Sequence, residues 1–416
     1  MGKPFMTMPQ RRQLSAIRKL LRSADSRCVE QGIELLLTLN EPKFWISIAK
    51  GMDTSEGFLD VFHSEIYKTI QKPFQEQIGL YAADHAGLLR DMVSLELTRC
   101  AELTDIRPLA QVRTLQRLRI SGCPRLVDLW PLEHLTALTE LTVSGCKQLV
   151  DLRPLAGLEH LTALDLSGST ALTDLSPISG HHKLRSLLLS GLCSLTDMRV
   201  LSNVVSLSTL KLGSVPRVDW HALSALHMLT TLSLDRYPGA DLAGLSALVR
   251  LCSLTVSGSS SLTDLTALAS VPELEELSLS FCTRLTDLAP IAALSELWSL
   301  DLFGCSSIRD LRPLAELTML RKLDLSDCLD AVDLEPLSGL EYLHSLSLSG
   351  CHRLRDLRPL ASLRALKTLD LSLCSELTLA MLEPLVELPS LYRVYLPCSM
   401  EVSEHHLLRR KGVSLI

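Results

Sequence analysis

The most regular part of the chain reads LTELTVSGCKQLVDLRPLAGL over residues 138–158. Nearly the same phrase returns as LHSLSLSGCHRLRDLRPLASL over 343–363, and as LQRLRISGCPRLVDLWPLEHL over 115–135. Self-comparison extends it to a tandem array with a period of 23 residues, shortened to 22 in the units that begin at 207 and 229 and lengthened to 25 in the unit that begins at 366. The units begin at 92, 115, 138, 161, 184, 207, 229, 251, 274, 297, 320, 343 and 366, and a degenerate fourteenth begins at 391. A repeat of this length predicts a stacked solenoid rather than a set of globular domains.

Each unit follows the consensus L-x-x-L-x-L-S-G-C-x-x-L-x-D-L-x-P-L-A-x-L, which divides into two halves. The alternation L-x-L in the first half predicts a short strand with one buried face. In the second half, Pro suits a short helical or 3₁₀ turn that returns the chain, and Asp is placed to cap its start. Successive strands are one period apart, so they are predicted to run parallel at ~4.8 Å spacing.

This pattern resembles the leucine-rich repeat family, whose signature L-x-x-L-x-L-x-x-N/C-x-L is matched almost unit by unit from Met92 to about Leu396. The D-L-x-P-L-A-x-L half is similar to the short repeats of bacterial internalins and phosphatase-regulatory proteins, and the cysteine resembles the cysteine-containing subclass. The resemblance implies an α/β right-handed solenoid, with a parallel β-sheet on its concave face and short helical or 3₁₀ turns on its convex face. It implies no particular function, because such solenoids bind very diverse partners.

Leucine is distributed unevenly: residues 1–91 hold 11 of the 95 leucines in the chain. Leu14, Ile17, Leu20 and Leu21 have helical spacing, and the rest of this segment also reads as amphipathic helices. We therefore predict an α-helical N-terminal cap or docking segment over 1–91, a solenoid of about 13–14 repeats over 92–396, and a C-terminal cap over 397–416. A cap at the first strand would cover a sheet edge that otherwise invites pairing with other chains.

Composition and charge exclude several classes of protein. A formal net charge of −6 argues against general nucleic-acid binding, because an acidic surface repels phosphate backbones. No apolar run approaches the ~20 residues that a membrane span requires, and the start MGKPFMTMPQRRQ lacks the apolar core of a signal peptide. The chain has 12 cysteines without an export signal, which favours free thiols in a reducing cytoplasm.

Cysteine recurs at one repeat position. A thiol column could serve metal or redox chemistry, but metal sites need thiolates that converge on one point, and a linear column does not converge. We interpret the column as small inward-facing side chains, since Ser169 and Ser259 replace cysteine without breaking the period. Its members are Cys100, Cys123, Cys146, Cys282, Cys305, Cys328, Cys351 and Cys374.

Aspartate forms a second column. Stacked carboxylates invite a calcium hypothesis, whereas capping of the Leu-x-Pro turn explains them more simply. An arginine two residues later in five units would reduce the repulsion between carboxylates. The aspartates are Asp105, Asp128, Asp151, Asp174, Asp197, Asp264, Asp287, Asp310, Asp333 and Asp356.

No motif points to catalysis. No Walker loop, G-x-S-x-G, H-E-x-x-H or dinucleotide fingerprint occurs, so we predict no enzymatic activity, no catalytic residue, no metal and no cofactor. The pairs His181-His182 and His405-His406 are interpreted as surface residues, because adjacent side chains diverge and no further ligands accompany them.

Outward positions of L-x-x-L-x-L are mostly small from Thr139 to Ser257. Larger side chains occur near the N-terminal end, at Arg117, Arg119 and Arg185, and cluster toward the C-terminal end. Trp298 and Phe303 are the most informative, since outward aromatic residues and arginine are typical interface anchors. The alternative is that Trp298 covers a neighbouring strand and that Tyr392 and Tyr395 close the end of the core. The predicted partner-binding residues are Trp298, Asp301, Phe303, Arg321, Asp324, His344, Tyr392 and Tyr395.

The two 22-residue units form a second candidate surface. They lose Cys and Pro and gain larger loop residues, which would suit either a partner or simple drift of the repeat. These residues are Arg217, Trp220, His221, Arg236 and Tyr237.

Together these features predict a cytoplasmic, non-enzymatic scaffold that binds a protein partner, with no nucleic acid and no membrane span. Two alternatives stay open. The chain could be a regulatory or sensor subunit of a separate effector enzyme, or an exported bacterial effector or surface adhesin.

Overall fold

A computed structural model describes residues 93–101, 103–328, 333–398, 400 and 412–416, together with residue 16. The predicted N-terminal helical cap therefore lies outside the described residues, as do 401–411 of the predicted C-terminal cap and the pair His405-His406. The domain boundaries at 91 and 396 stay predictions.

The described residues form one sheet of fifteen parallel strands that follow one another in chain order. Most strands are only three residues long, because each unit contributes a single L-x-L segment. The strands are β1 (Ser94–Thr98), β2 (Arg117–Ser121), β3 (Glu140–Ser144), β4 (Ala163–Asp165), β5 (Ser186–Leu188), β6 (Thr209–Lys211), β7 (Thr231–Ser233), β8 (Ser253–Thr255), β9 (Glu276–Ser278), β10 (Ser299–Asp301), β11 (Lys322–Asp324), β12 (Ser345–Ser347), β13 (Thr368–Asp370), β14 (Arg393–Tyr395) and β15 (Ser414–Leu415).

Strand register follows the sequence period. Leu300 of β10 pairs with Leu323 of β11, one 23-residue unit later. Leu210 pairs with Leu232 after 22 residues, so the shorter units keep the same leucine column aligned. The last strand, β15, pairs with β14 through Val394 and Leu415, and brings the C-terminal residues onto the end of the sheet.

The return segments are short 3₁₀ helices, as the position of proline predicts. Most have Pro in their first two positions, where the missing N–H has no intrahelical partner to lose. They span Arg107–Gln111, Trp130–Leu132, Arg153–Leu155, Ser176–Gly180, Arg199–Asn203, Ala243–Ala247, Thr266–Ser270, Ala289–Ala293, Arg312–Glu316, Glu335–Leu337, Arg358–Ser362 and Leu379–Glu387. The unit at 207, which has no proline in its return turn, forms one α-helical turn there, α1 (Trp220–Leu223), capped by the Asp219 carboxylate.

The core is a stack of leucine columns between the sheet and the 3₁₀ turns. In one unit, Leu300, Leu302 and Leu314 are all buried, and the same positions are buried in the neighbouring units. Truncating any one of them to alanine would cost about 2–5 kcal/mol. Most of the leucines in the repeats therefore serve to pack one unit against the next.

The cysteine column is buried in this core, which confirms the packing interpretation. The Cys305 thiol donates to the carbonyl oxygen of Leu279 in the preceding unit, at 3.1 Å from sulfur to oxygen. Burial raises the pKa of Cys305 to about 12, so the group stays a protonated thiol. Ser169 makes the equivalent bond to Val143 at 3.0 Å, which explains why serine replaces cysteine without disturbing the repeat.

The aspartate column caps the turns, also as predicted. Asp310 accepts the backbone N–H of Arg312 at 3.0 Å, and the Arg312 guanidinium closes back onto the same carboxylate at 2.6 Å. These contacts with Arg312 hold the pKa of Asp310 at about 2. The equivalent bond recurs along the column, for example from Ala289 to Asp287 at 2.8 Å.

His181 contradicts the prediction of a surface histidine. Its side chain is only 1% exposed, because it occupies the inward column that Leu158 and Val204 fill in the adjacent units. Nδ1 lies 3.2 Å from the carbonyl oxygen of Ile178, whereas Nε2 has no hydrogen-bond partner. His182 is exposed, as predicted. Repeat position thus outweighed the polarity of the residue.

Candidate partner-binding surface

One line of side chains runs across the sheet just before the strands begin. We call it the leading row and define it as Glu275, Trp298, Arg321, His344, Lys367 and Tyr392. Its backbone continues the parallel ladder: the N–H of Arg321 donates to Trp298 at 2.8 Å, and the N–H of His344 donates to Arg321 at 2.8 Å. Neighbours in the leading row are therefore one strand apart, ~4.8 Å at the backbone.

Three predicted residues, Trp298, Arg321 and His344, line one open pocket of about 460 Å³ in the leading row. Glu275, Glu296, Met319, Lys322 and Ser345 also line it, so the pocket has carboxylates at its Trp298 end and cations at the other. The repeat period aligns Trp298, Arg321 and His344, because each stands one residue after the first leucine of its unit. Met319 was missed by the sequence analysis, although its place two residues before the leading row was a usable signal.

Trp298 lies between opposite charges. Its indole Nε1–H donates to the Glu275 carboxylate at 3.4 Å. On the other side, the Lys322 ammonium lies 5.3 Å from the centre of the Trp298 ring, within the range of a cation–π contact. Trp298 therefore contacts a neighbouring strand, as the alternative interpretation held, while it also remains a wall of the pocket.

The cations of the leading row have no carboxylate partners among the described residues. None of the ion pairs in this part of the chain involves Arg321, Lys322 or Lys367. Partial burial, together with Lys367 and Arg321 nearby, lowers the pKa of His344 below its usual value, so this ring is neutral at pH 7. Arg393 lies over the Tyr392 ring at 5.6 Å.

Asp301 and Asp324 lie at the opposite end of their strands, and local bonds engage them. Asp301 accepts the backbone N–H of Phe303 at 3.0 Å and the Ser278 hydroxyl at 2.8 Å. Asp324 accepts the backbone N–H of Ser326 at 2.8 Å. Both carboxylates thus organise the turn that follows the strand.

Phe303 is not part of the leading row. It follows β10, whereas Trp298 precedes it, so the whole of this strand lies between the two aromatic residues. Phe303 packs edge to face on Phe281, with ring centres 4.6 Å apart. Phe281 was missed by the sequence analysis, although it occupies the glycine position of the repeat and is 50% exposed.

That glycine position adopts left-handed backbone, with φ of +70° at Gly304 and +60° at Phe281. A Cβ at residue 304 would lie 2.8 Å from the Phe281 ring, so the aromatic contact depends on this glycine. A non-glycine residue with this φ stores strain of order 1 kcal/mol.

At the C-terminal end, Tyr392 precedes β14 and is 48% exposed, while Tyr395 is the last residue of β14. Tyr395 is half-buried and pairs in register with Asp370. Since β15 adds to the far side of β14, neither tyrosine terminates the sheet.

In the second candidate surface the two aromatic residues pack inward, whereas Arg217, His221 and Arg236 are exposed. Trp220 and Tyr237 pack edge to face at 5.9 Å, and the indole Nε1–H donates to the Tyr237 hydroxyl at 3.1 Å. The two side chains lie over Gly244 and Gly239, where any Cβ would collide with them. This favours drifted repeats whose aromatic residues fill space.

Within the described ranges, no group of three or more His, Cys, Asp or Glu side chains could hold a metal ion. A search of the same residues finds no helix with the length and apolar character of a membrane span.

No protein-family model and no curated protein matches the chain by sequence. Solved structures share its fold. An internalin from Listeria monocytogenes is similar with a TM-score of 0.57 at 23% identity, over 83% of this chain and 94% of the internalin chain. A leucine-rich repeat protein from Leptospira interrogans is similar with a TM-score of 0.53 at 18% identity, over 80% of this chain and 98% of its own. The chain in a TLR13–ssRNA13 complex gives a TM-score of 0.51 at 19% identity, over 80% of this chain and 58% of its own.

These similarities and the fifteen-stranded parallel sheet identify the fold as a leucine-rich-repeat solenoid, as the repeat predicted. Identities this low establish the fold alone.

Proposed function

We propose that the chain is a non-enzymatic scaffold that binds a protein partner on the exposed face of its sheet, through the leading row. The supporting observation is the pocket at Trp298, where an aromatic wall adjoins cations that pair with no described carboxylate. The short strands are held by the core beneath them, so the surface is ordered before a partner arrives. Binding there would cost little conformational entropy.

Two features support a non-enzymatic role. The thiols of the cysteine column are buried, and burial raises the pKa of Cys282 to about 11 and of Cys351 to about 12, so they are poor nucleophiles at neutral pH. The charged groups that lower the pKa of His344 are Lys367 and Arg321, and no described carboxylate bonds to its ring as the partner of a general base usually does.

We further propose that the protein works in the cytoplasm. All eleven described cysteines are free thiols, as a reducing compartment would keep them. Detection of the chain in the culture medium or on the cell surface would contradict this proposal and favour the exported alternative.

The scaffold proposal is tested by crosslinking the full chain in native lysate and identifying captured proteins by mass spectrometry. Trp298→Ala should weaken capture at least tenfold, because aromatic anchors in interface pockets commonly contribute about 2 kcal/mol. Phe303→Ala, at the other end of the same strand, is the matched control and should change capture little. Unchanged capture by folded Trp298→Ala would contradict the assigned surface.

A further inference from the structure

We propose that the leading row recognises an acidic segment of the partner, in which carboxylate side chains lie beside an apolar or aromatic one. This deepens the proposed function and rests on it. The segment is expected to bind over β10 to β14, from Trp298 to Tyr392.

Charge is the first reason. Arg321 and Lys367 directly precede β11 and β13, and Lys322 and Arg393 are the first residues of β11 and β14 beside them. The overall charge of the chain is −6, so this cluster runs against the net charge of the protein. Arg321, Lys322 and Lys367 are exposed and form no ion pair with a described carboxylate, which leaves them available to a partner's carboxylates.

The apolar rim is the second reason. Met319 is 40% exposed and Tyr342 is 54% exposed, and each stands two residues before a basic member of the leading row. Together with Trp298 they place apolar surface directly beside the cations. A purely charged ligand would leave this surface uncovered, so the segment should also carry a hydrophobic side chain.

The length of the cluster limits the segment. Three strands at ~4.8 Å place Arg321 and Lys367 about 10 Å apart at the backbone. An extended chain advances ~3.3 Å per residue, so three or four residues cover that distance. The segment should therefore hold at least two acidic residues within four positions.

The surroundings disfavour a nucleic acid. Glu275, Glu276 and Glu296 lie on the side of Trp298 toward the preceding repeats, and Asp301, Asp324 and Asp370 are the last residues of β10, β11 and β13. A phosphate backbone leaving the basic cluster would run into these carboxylates. The acidic stretch of a short peptide covers Arg321 to Lys367, and a basic residue next to it would meet Glu275 and Glu296 at the Trp298 end of the pocket.

The test is selection of a phage-displayed library of random twelve-residue peptides on the immobilised full chain. Selected sequences should be enriched in Asp and Glu, with at least two within four positions and a neighbouring aromatic or aliphatic residue. A synthetic selected peptide should bind in a salt-sensitive manner by fluorescence anisotropy. Neutral or basic selected sequences, or no enrichment at all, would overturn the proposal.

Charge reversal supplies the matched comparison. Arg321→Glu with Lys367→Glu should weaken binding of the selected peptide at least tenfold, and the milder pair Arg321→Gln with Lys367→Gln should weaken it less. Arg185→Glu changes the same repeat position on an exposed arginine several strands away and should leave affinity within twofold. Circular dichroism melting of each variant verifies that it is folded. Equal loss with Arg185→Glu would mean that the effect is one of net charge, and would overturn the assignment.

A labelled single-stranded RNA twelve-mer forms the competing arm. Tighter binding of this RNA than of the acidic peptide, with the same dependence on Arg321 and Lys367, would overturn the acidic-segment proposal. If the partner captured from lysate depends on Trp298 but not on the charge-reversal pair, the acidic-segment proposal fails while the scaffold proposal stands. If neither change affects capture, both proposals fail.

Discussion

Replacing the buried histidine by leucine should stabilise the protein and remove part of its sensitivity to acid. His181 stands in a column of aliphatic residues, is 1% exposed, and leaves Nε2 without a hydrogen-bond partner. An unsatisfied buried polar group costs about 1–3 kcal/mol, and leucine has nearly the same volume. The Ile178 carbonyl would keep a donor, because it also accepts the backbone N–H of residue 181 at 3.1 Å. His181→Leu should therefore raise the free energy of unfolding by about 1–3 kcal/mol at pH 7.5.

The pH dependence follows from the direction of the pKa shift. Burial is the main cause that lowers the pKa of His181, and the neighbouring His182 lowers it further. The carbonyls of Ile178 and Leu155 and the Glu159 carboxylate act in the opposite direction. The unfolded chain then binds more protons than the folded one, so stability is full above about pH 6.5 and falls as the pH drops below it. The slope from this one group is at most about 1.4 kcal/mol per pH unit. The free energy of unfolding of His181→Leu should lack this pH-dependent contribution. The difference in stability between His181→Leu and the parent chain should therefore grow as the pH falls from 7.5 to 5.

Urea unfolding followed by circular dichroism at pH 7.5, 6.5 and 5.0 measures both effects. His182→Leu is the matched control, because the same change at the exposed neighbour should leave stability nearly constant. The reasoning is refuted if His181→Leu is no more stable than the parent chain at pH 7.5, or if the two lose stability in parallel on acidification.

Three further outcomes are expected. Gly304→Ala should lower the free energy of unfolding by about 1–2 kcal/mol, because φ is +70° there and the new Cβ would approach the Phe281 ring. Adding Phe281→Gly should recover part of this loss in the same urea assay. If the double variant recovers no stability, the contact between residue 304 and Phe281 is contradicted. Iodoacetamide should label exposed Cys193 and Cys398 in the native chain, and the cysteine column only in denaturant; mass spectrometry that finds rapid native labelling of the column would contradict the packing interpretation. Asp310→Ala should lower the urea midpoint at neutral pH, whereas Asp310→Asn keeps an acceptor and should lower it less. Because the folded pKa of Asp310 is about 2, the difference between the parent chain and Asp310→Ala should vanish as the pH falls from about 4 to about 2, and a difference that persists would contradict the capping role.

Most of the fold follows from the repeat alone. The period predicts one strand per unit, and Leu300 pairs with Leu323, the residue one 23-residue period later. The consensus also predicts which residues face inward, so the burial of Cys305 and the capping by Asp310 agree with the sequence analysis.

The partner-binding residues stay a prediction, and the structure decides only how they are arranged. Trp298, Arg321 and His344 share one repeat position, and they do line one pocket. Phe303 was grouped with Trp298 although it lies beyond the other end of the same strand, and Asp301 was counted as a contact residue although local hydrogen bonds engage its carboxylate.

By itself, the sequence determined the architecture of this protein, because a fixed period forces every unit to bury the same positions against its neighbours. Only the tertiary structure decided which outward side chains remain available to a partner. That depends on contacts between adjacent strands: Lys322 reaches Trp298 across one strand, and Phe303 packs on Phe281 across another. The tertiary structure likewise decided that the His181 side chain is buried, because the polarity of a residue does not reveal whether its neighbours cover it.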